Sequence, residues 1–191
     1  MQELSRPLLI LFRGYPGTGK SHLAAQLSDY LGFPLIVRDK YKTLLRKQSY
    51  PEDQLGKESY ALMWRQADNY LAEQRACICD TSLVQPTGLD DIESLRKKYL
   101  ADVVVVECVC LDELEHARRL EGRSLHPEYY AVNSLAKYKQ FVVANKSYED
   151  IRFPYTTIRI DTAKQYSVRD IANTILEIGQ SGKNEIVSYN L

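Results

Sequence analysis

The chain has 191 residues, and its 25 basic side chains balance its 25 acidic ones to a formal net charge of zero. That length suits one domain with a full core, and the balanced charge excludes a global field drawing the whole surface to nucleic acid or membrane. The apolar stretch Leu8–Phe12 is cut short by Arg13, too brief for a signal peptide or a membrane span, which predicts a cytoplasmic protein with no membrane partner.

Leu8–Arg13 reads as the first strand. Gly14-Tyr15-Pro16-Gly17-Thr18-Gly19-Lys20-Ser21 follows and fits G-x-x-x-x-G-K-[ST] without a mismatch. A helix over Lys20–Leu31 comes next, with Leu23, Ala24, Leu27, Tyr30 and Leu31 at helical spacing and Gly32 as its C-cap. Strand, glycine-rich loop and helix is the context in which this motif binds phosphate. Glycines let the backbone curl so that successive amides face phosphate oxygens, and the helix N-terminus adds partial positive charge. Gly14 to Ser21 are therefore the candidate nucleotide contacts, with Lys20 meeting the β- and γ-phosphates and Ser21 ligating Mg²⁺.

Further along, the patterns predict a short strand over Leu35–Val37, helices over Lys40–Lys47 and Lys57–Gln74, and a third strand over Ala76–Cys79. They continue with a helix over Thr87–Tyr99, a strand over Asp102–Cys110 and helices over Asp112–Leu120 and Tyr129–Tyr148. The last elements are a strand over Thr156–Ile160 and a helix over Val168–Ile178 that Gly179 ends. Val103–Val106 is apolar on both faces, as a buried parallel strand requires. The tail from Ser181 reads as frayed. Alternating strands and helices mean a parallel sheet covered on both sides. Two Cys-x-Cys pairs, Cys77/Cys79 and Cys108/Cys110, lie in or beside strand-like runs, where period-2 spacing favours buried thiols over a zinc site.

Several residues stand out as chemistry. Asp39 lies just past the second strand, at the sheet edge where α/β proteins bind ligands. It is either the general base for an acceptor hydroxyl or the N-cap of the next helix. Asp80 ends the third strand and is the second Mg²⁺ candidate, or an acceptor contact. Arg119 and Arg123 are four residues apart on one helix face. They are placed to cover transferring phosphates, or else form a solvated face paired with Glu115 and Glu121. Arg38, Lys40, Lys42, Arg46 and Lys47 crowd around Asp39 and would suit an anionic acceptor, with Tyr41, Tyr50 and Tyr60 near enough to stack a base. His126 has no partner in sequence.

No D-x-x-G follows the third strand and Asn145-Lys146-Ser147-Tyr148 lacks the aspartate of N-K-x-D, which disfavours a GTPase. Thr81 stands where a ring ATPase carries glutamate after Asp80, which disfavours a motor. With those set aside, the order of landmarks resembles the small P-loop kinases. It is most similar to the branch of polynucleotide 5′-hydroxyl kinases and zeta-toxin-like kinases, whose second strand often ends Arg-Asp-Asp-x-Arg. Here that stretch is Arg38-Asp39-Lys40-Tyr41-Lys42, departing from the family at Lys40 and Lys42. The resemblance implies a lid at about 119–130 and adenine beside the loop after the fifth strand, where Thr162 is a candidate contact.

The combined reading is a P-loop αβα sandwich with a five-stranded parallel sheet in the order 2-3-1-4-5 and a small lid. Residues 1–180 form a single kinase domain and 181–191 a tail. The expected activity is Mg²⁺-dependent transfer of the ATP γ-phosphoryl group to a hydroxyl on a small molecule, a nucleotide or a nucleic-acid end. The alternative is a regulatory P-loop protein that hydrolyses ATP slowly. Asp39 discriminates, because a switch needs no acceptor-activating group.

Overall fold

The computed structural model of the chain describes residues 4–83, 88–123, 132–145, 151–181 and 186–189. Among them are the strands β1 (Leu8–Arg13), β2 (Leu35–Val37), β3 (Cys77–Asp80), β4 (Asp102–Val109), β5 (Thr156–Asp161) and β6 (Ile186–Tyr189). They pair in parallel in the order β2-β3-β1-β4-β5-β6. The helices are α1 (Lys20–Leu31), α2 (Arg38–Lys47), α3 (Leu55–Ala72), α4 (Leu89–Tyr99), α5 (Glu113–Gly122), α6 (Leu135–Ala144) and α7 (Val168–Ser181).

Strand alternation splits the apolar residues of β1 between two cores. Leu8, Ile10 and Phe12 pack with Leu23, Ala24 and Leu27 of α1 and with Ile171, Ala172 and Ile175 of α7. Leu9 and Leu11 face Met63, Trp64, Ala67 and Leu71 of α3 and Ile92 and Leu95 of α4. All five of these β1 side chains are buried, so β1 is held from both sides and delivers its C-terminal end, where the glycine loop begins, as a rigid edge. On the α3/α4 face, the central strands also carry a row of charge in register. Arg13 opposes Glu107, and Glu107 opposes Arg159. The Glu107 carboxylate meets the two guanidinia at 3.3 and 3.4 Å.

The predicted order of five strands is correct, and the tail is the correction. Instead of fraying, Ile186–Tyr189 forms β6, pairing Thr157 with Ile186 through Ile160 with Tyr189. Gly179 does not end the last helix either, since α7 continues to Ser181. A Cβ at Gly179 would lie 3.0 Å from Leu8 Cδ1, so the glycine serves close approach of helix to sheet. Helix α2 starts two residues earlier than predicted, directly on β2, with Val37 at the N-cap position. Asp39 thus sits in the first turn, not at the cap. The cap of α6 is Ser134, whose hydroxyl accepts from Lys137 N at 3.4 Å. The rest of the predicted 129–148 helix, the start of the 87–99 helix, the distal lid and His126 fall wholly or partly outside the described residues. Among the described residues no helix is long and apolar enough to cross a membrane.

Cys77, Cys79 and Cys108 are buried free thiols, as the strand pattern predicts, whereas Cys110 is partly exposed beyond the end of β4. Strand β1 separates β3 from β4, keeping the two pairs apart. Burial raises the Cys108 thiol pKa, and burial together with neighbouring acids raises that of Cys110. With a thiol-specific reagent above neutral pH, one cysteine, Cys110, is expected to react in the native protein and the other three only on unfolding. Rapid reaction of three or four native thiols would contradict this burial.

Candidate active site

The loop between β1 and α1 needs left-handed backbone. Gly17 has φ +82 and Gly19, the N-cap of α1, has φ +76. At Gly19 there is also no room, because a Cβ would come within 2.8 Å of Thr162 Oγ1 and 3.1 Å of Arg119 Nη1. Three outward-facing carbonyls of the loop have partners. Tyr15 O accepts from Thr18 Oγ1 at 2.8 Å, Pro16 O lies 2.8 Å from His116 Nε2 on α5, and Thr18 O accepts from Thr162 Oγ1 at 2.8 Å. The side chains of Tyr15 and Thr18 turn away from the loop's concave side. Tyr15 instead stands edge-on to Tyr138 and Phe141 of α6, with ring centroids 5.8 and 6.2 Å apart.

Two cavities meet at this loop. The first, of 390 Å³, is lined by Gly17, Gly19, Lys20, Arg119, Thr162 and Tyr166 among others. The second, of 150 Å³, lies at the ends of β2 and β3 and is lined by Arg38, Asp39, Lys42, Asp80 and Phe141 among others. Lys20, Ser21 and Arg123 line both. The junction therefore holds an ammonium, a hydroxyl and a guanidinium, with one carboxylate from β3 and one from α2 on the second side.

The two carboxylates differ in character. Burial pushes Asp39 up, but Arg38, Lys20 and Lys42 outweigh it, and the group ends below the usual aspartate range. Arg38 donates to Asp39 Oδ1 from Nη2 at 2.7 Å and from Nε at 3.3 Å. Asp80, 5 % exposed, is raised by burial despite Lys20 and a hydrogen bond with Ser21. Its Oδ1 is buried with no hydrogen-bond partner. An orphaned carboxylate oxygen beside a serine hydroxyl at the mouth of a phosphate loop is a hard-oxygen donor set, and it fits Mg²⁺.

Other candidates are redistributed. Arg119 lines the first cavity but is spoken for: Nε donates to Glu115 Oε1 at 2.7 Å, and Nη1 and Nη2 donate to Thr162 Oγ1 and O, both at 2.8 Å. Glu115 also takes two bonds from Arg118, and these arginines hold its carboxyl down to about 2. Arg119 is thus held against the wall of the first cavity, whereas Arg123 lines both cavities. The basic cluster on α2 divides by helical spacing: Arg38, Lys42 and Arg46 share a face on the second cavity. Lys40 and Lys47 are exposed, which corrects the placing of Lys40 beside the acceptor. Tyr60 is no free stacking platform, because its ring carries the Arg38 guanidinium, 4.9 Å from carbon to centroid. His116 had no signal in sequence, since it acts through a contact distant along the chain, and the proximity that offered Tyr60 as a stacking ring gave no sign that Arg38 would occupy it.

A family profile described as "AAA domain" (AAA_33) matches residues 9–144, which is most of the chain. The chain belongs to this family. The description names a domain type and no reaction. No curated protein matches. Among solved structures, the AAA_33 chain is similar to a candidate kinase from Chloroflexus aurantiacus J-10-fl. The TM-score is 0.73 at 18% identity, over 95% of this chain and 100% of that one. It is similar also to Kti12 of Chaetomium thermophilum in complex with ADP-AlF3, with TM-score 0.66 at 15% identity over 90% and 98% of the two chains. A sugar kinase from Janibacter sp. HTCC2649 follows, with TM-score 0.59 at 16% identity over 94% and 99%. The fold is that of the small P-loop kinases, as the order of landmarks in the sequence implies.

Lys20→Ala removes the one ammonium common to both cavities. Losing a charged hydrogen bond costs about 2 kcal/mol, so calorimetry with Mg-ATP is expected to show roughly 30-fold weaker binding. Gly19→Ala, strained in φ and blocked by Thr162, is expected to lower both affinity and melting temperature. Wild-type affinity in either variant would remove the loop from nucleotide binding.

Proposed function

We propose that this AAA_33 protein is an ATP-dependent kinase that phosphorylates a hydroxyl group on an anionic acceptor. The observation that carries this reading is the sharing of Lys20, Ser21 and Arg123 between two cavities, one behind a phosphate loop and one holding the carboxylates of Asp39 and Asp80. A hydrolase needs room for water alone, whereas here a second chamber with its own basic wall adjoins the phosphate site.

In this reading ATP occupies the first cavity, with its triphosphate on the amides of Gly14 to Ser21 and Thr162 closing the wall beside the base. Ser21 and Asp80 hold Mg²⁺, which neutralises charge on the phosphates when bound. The acceptor hydroxyl lies in the second cavity against Asp39. Its oxygen bonds to the γ-phosphorus as the bond to the β-bridging oxygen breaks, ADP leaves, and the hydroxyl proton passes to Asp39. An aspartate held below its usual range is a weak base, so its main work is to orient the hydroxyl and take the proton late, as a loose phosphoryl transition state allows. Lys20 and Arg123 offset the charge on the transferring group. Arg119 acts by fixing the wall through Glu115 and Thr162.

The acceptor is anionic because the second cavity is lined by Lys20, Arg38, Lys42, Arg46 and Arg123 against Asp39 and Asp80. Arg38 is paired with Asp39 and Arg46 with Glu52. Lys42 has no hydrogen bond or ion pair among the described residues, and burial with its arginine neighbours lowers its pKa. The free thiols suit a reducing cytoplasm. A regulatory P-loop protein is the second reading, because one similar structure, Kti12 with ADP-AlF3, is not described as a kinase. ADP release that requires an added acceptor favours the kinase.

A screen with γ-labelled ATP over sugars, sugar phosphates, nucleosides, nucleotides and 5′-hydroxyl oligonucleotides tests the proposal. With the acceptor found, Asp39→Asn is expected to slow transfer about 10²–10⁴-fold at unchanged Mg-ATP affinity, and full activity would return Asp39 to a structural role. Lys42→Gln is expected to raise the acceptor KM while kcat stays near wild type, and an unchanged KM would remove Lys42 from acceptor binding. Since Asp39 is already ionised well below neutrality, transfer between about pH 5 and 8 should show no acid limb from this group. An acid limb there that Asp39→Asn abolishes would contradict its lowered pKa.

A further inference from the structure

We infer that Tyr60 of α3 is a positioning residue for Asp39, acting through Arg38. The inference rests on the reading of Asp39 as the acceptor base and adds what fixes that base in place. Arg38 and Asp39 are consecutive residues of one helix, and side chains at i and i+1 point about 100° apart, so they do not face one another unaided. Yet both Arg38 donors fall on Asp39 Oδ1, at 2.7 and 3.3 Å. Something outside α2 must turn the arginine round. The Tyr60 ring lies under the guanidinium, 4.9 Å from its carbon, which is cation–π distance.

Tyr60 is itself held from two sides. Its ring stacks on Trp64, one turn along α3, at 6.4 Å and 22°. Its hydroxyl oxygen accepts from Thr81 Oγ1 at 3.0 Å. Trp64 is buried in the core under the sheet, and Thr81 directly follows Asp80. Tyr60 therefore relates the arm bearing Asp39 to the arm bearing Asp80. The second consequence concerns Asp39 itself. With Arg38 taking Oδ1, no hydrogen bond among the described residues occupies Oδ2, which is left for an acceptor hydroxyl. The other charged groups lining the cavity around Asp39 are Lys20 of α1, Lys42 and Arg46 of α2, Asp80 of β3 and Arg123 at the end of α5.

The test uses the whole chain with carboxyl-¹³C aspartate, without nucleotide or acceptor, titrated by NMR, with Asp39→Asn assigning the signal. In the wild type Asp39 is expected to titrate below the other exposed aspartates. In Tyr60→Leu, which removes the ring, it moves up, and in Tyr60→Phe, which keeps the ring but loses the hydroxyl that also faces Arg38, it moves less far. Arg38→Met, which removes the last link, moves it up at least as far. If Arg38→Met shifts the titration and a folded Tyr60→Leu does not, the inference is overturned. Should Tyr60→Leu not fold, ring-current shifts on the Arg38 δ-protons of the wild type decide: their presence supports the contact and their absence overturns it. Because the titration needs no acceptor, full transfer activity in Asp39→Asn would end the base reading while leaving this chain of contacts intact.

Discussion

A loop that turns its amides inward to meet phosphate turns carbonyls outward, and a buried carbonyl without a partner costs as much as a lost hydrogen bond. The site depends on how this chain meets that constraint. Pro16 O is taken by His116, Thr18 O by Thr162, and Tyr15 O by a threonine within the loop. The outer partners come from α5 and from the loop after β5, the two segments that also supply Arg119 and the wall of the nucleotide cavity. Satisfying the loop's backbone and building the cavity are thus one act. The glycines follow from it, since the turn requires positive φ at Gly17 and Gly19 and the partners stand where a Cβ would be.

The electrostatics follow the same geometry. Lys20 lies between two carboxylates that burial pushes in one direction, and their other neighbours separate them. Arg38 carries Asp39 down, while burial and the neighbouring Asp39 keep Asp80 up against Lys20, a serine hydroxyl and the weaker pull of Arg38. The first remains ionised, and the second keeps a buried carboxylate oxygen without a partner. Neither character is chosen by residue type, because both are aspartates at the C-terminal edge of neighbouring strands.

What was legible in the sequence was whatever is local. The loop motif, the valine run of β4 and the helical spacing of α1 and α3 are periodic or contiguous, and the order of the first five strands came with the resemblance to the P-loop kinases. What was not legible depends on contact between distant segments. Strand β6 is four residues long and its pattern is too short to outweigh the glycine and lysine before it. Gly179 looks like a helix stop, but its role is contact with Leu8. Arg119 was open to covering phosphates or to pairing with Glu115, and nothing in sequence shows that Thr162 also accepts two of its bonds. His116 is an ordinary helix residue until α5 is laid beside the loop, and the hold of Tyr60 on Arg38 shows only once α3 is laid beside α2.

The charged row Arg13–Glu107–Arg159 has a consequence for folding. Strand β4 runs Val103-Val104-Val105-Val106, so sliding it by two residues against β1 or β5 would keep every valine on an apolar face and lose little burial. Hydrophobic patterning alone would leave such misregistered sheets close in energy to the native one. The row removes that degeneracy. Arg13 is 6 % exposed at its side chain and Glu107 19 %, and a slip would strand one charge without its partner at a cost of about 3–5 kcal/mol. The central strands thus carry a marker that admits a single alignment, and the glycine loop at the end of β1 inherits its height above the sheet from that mark.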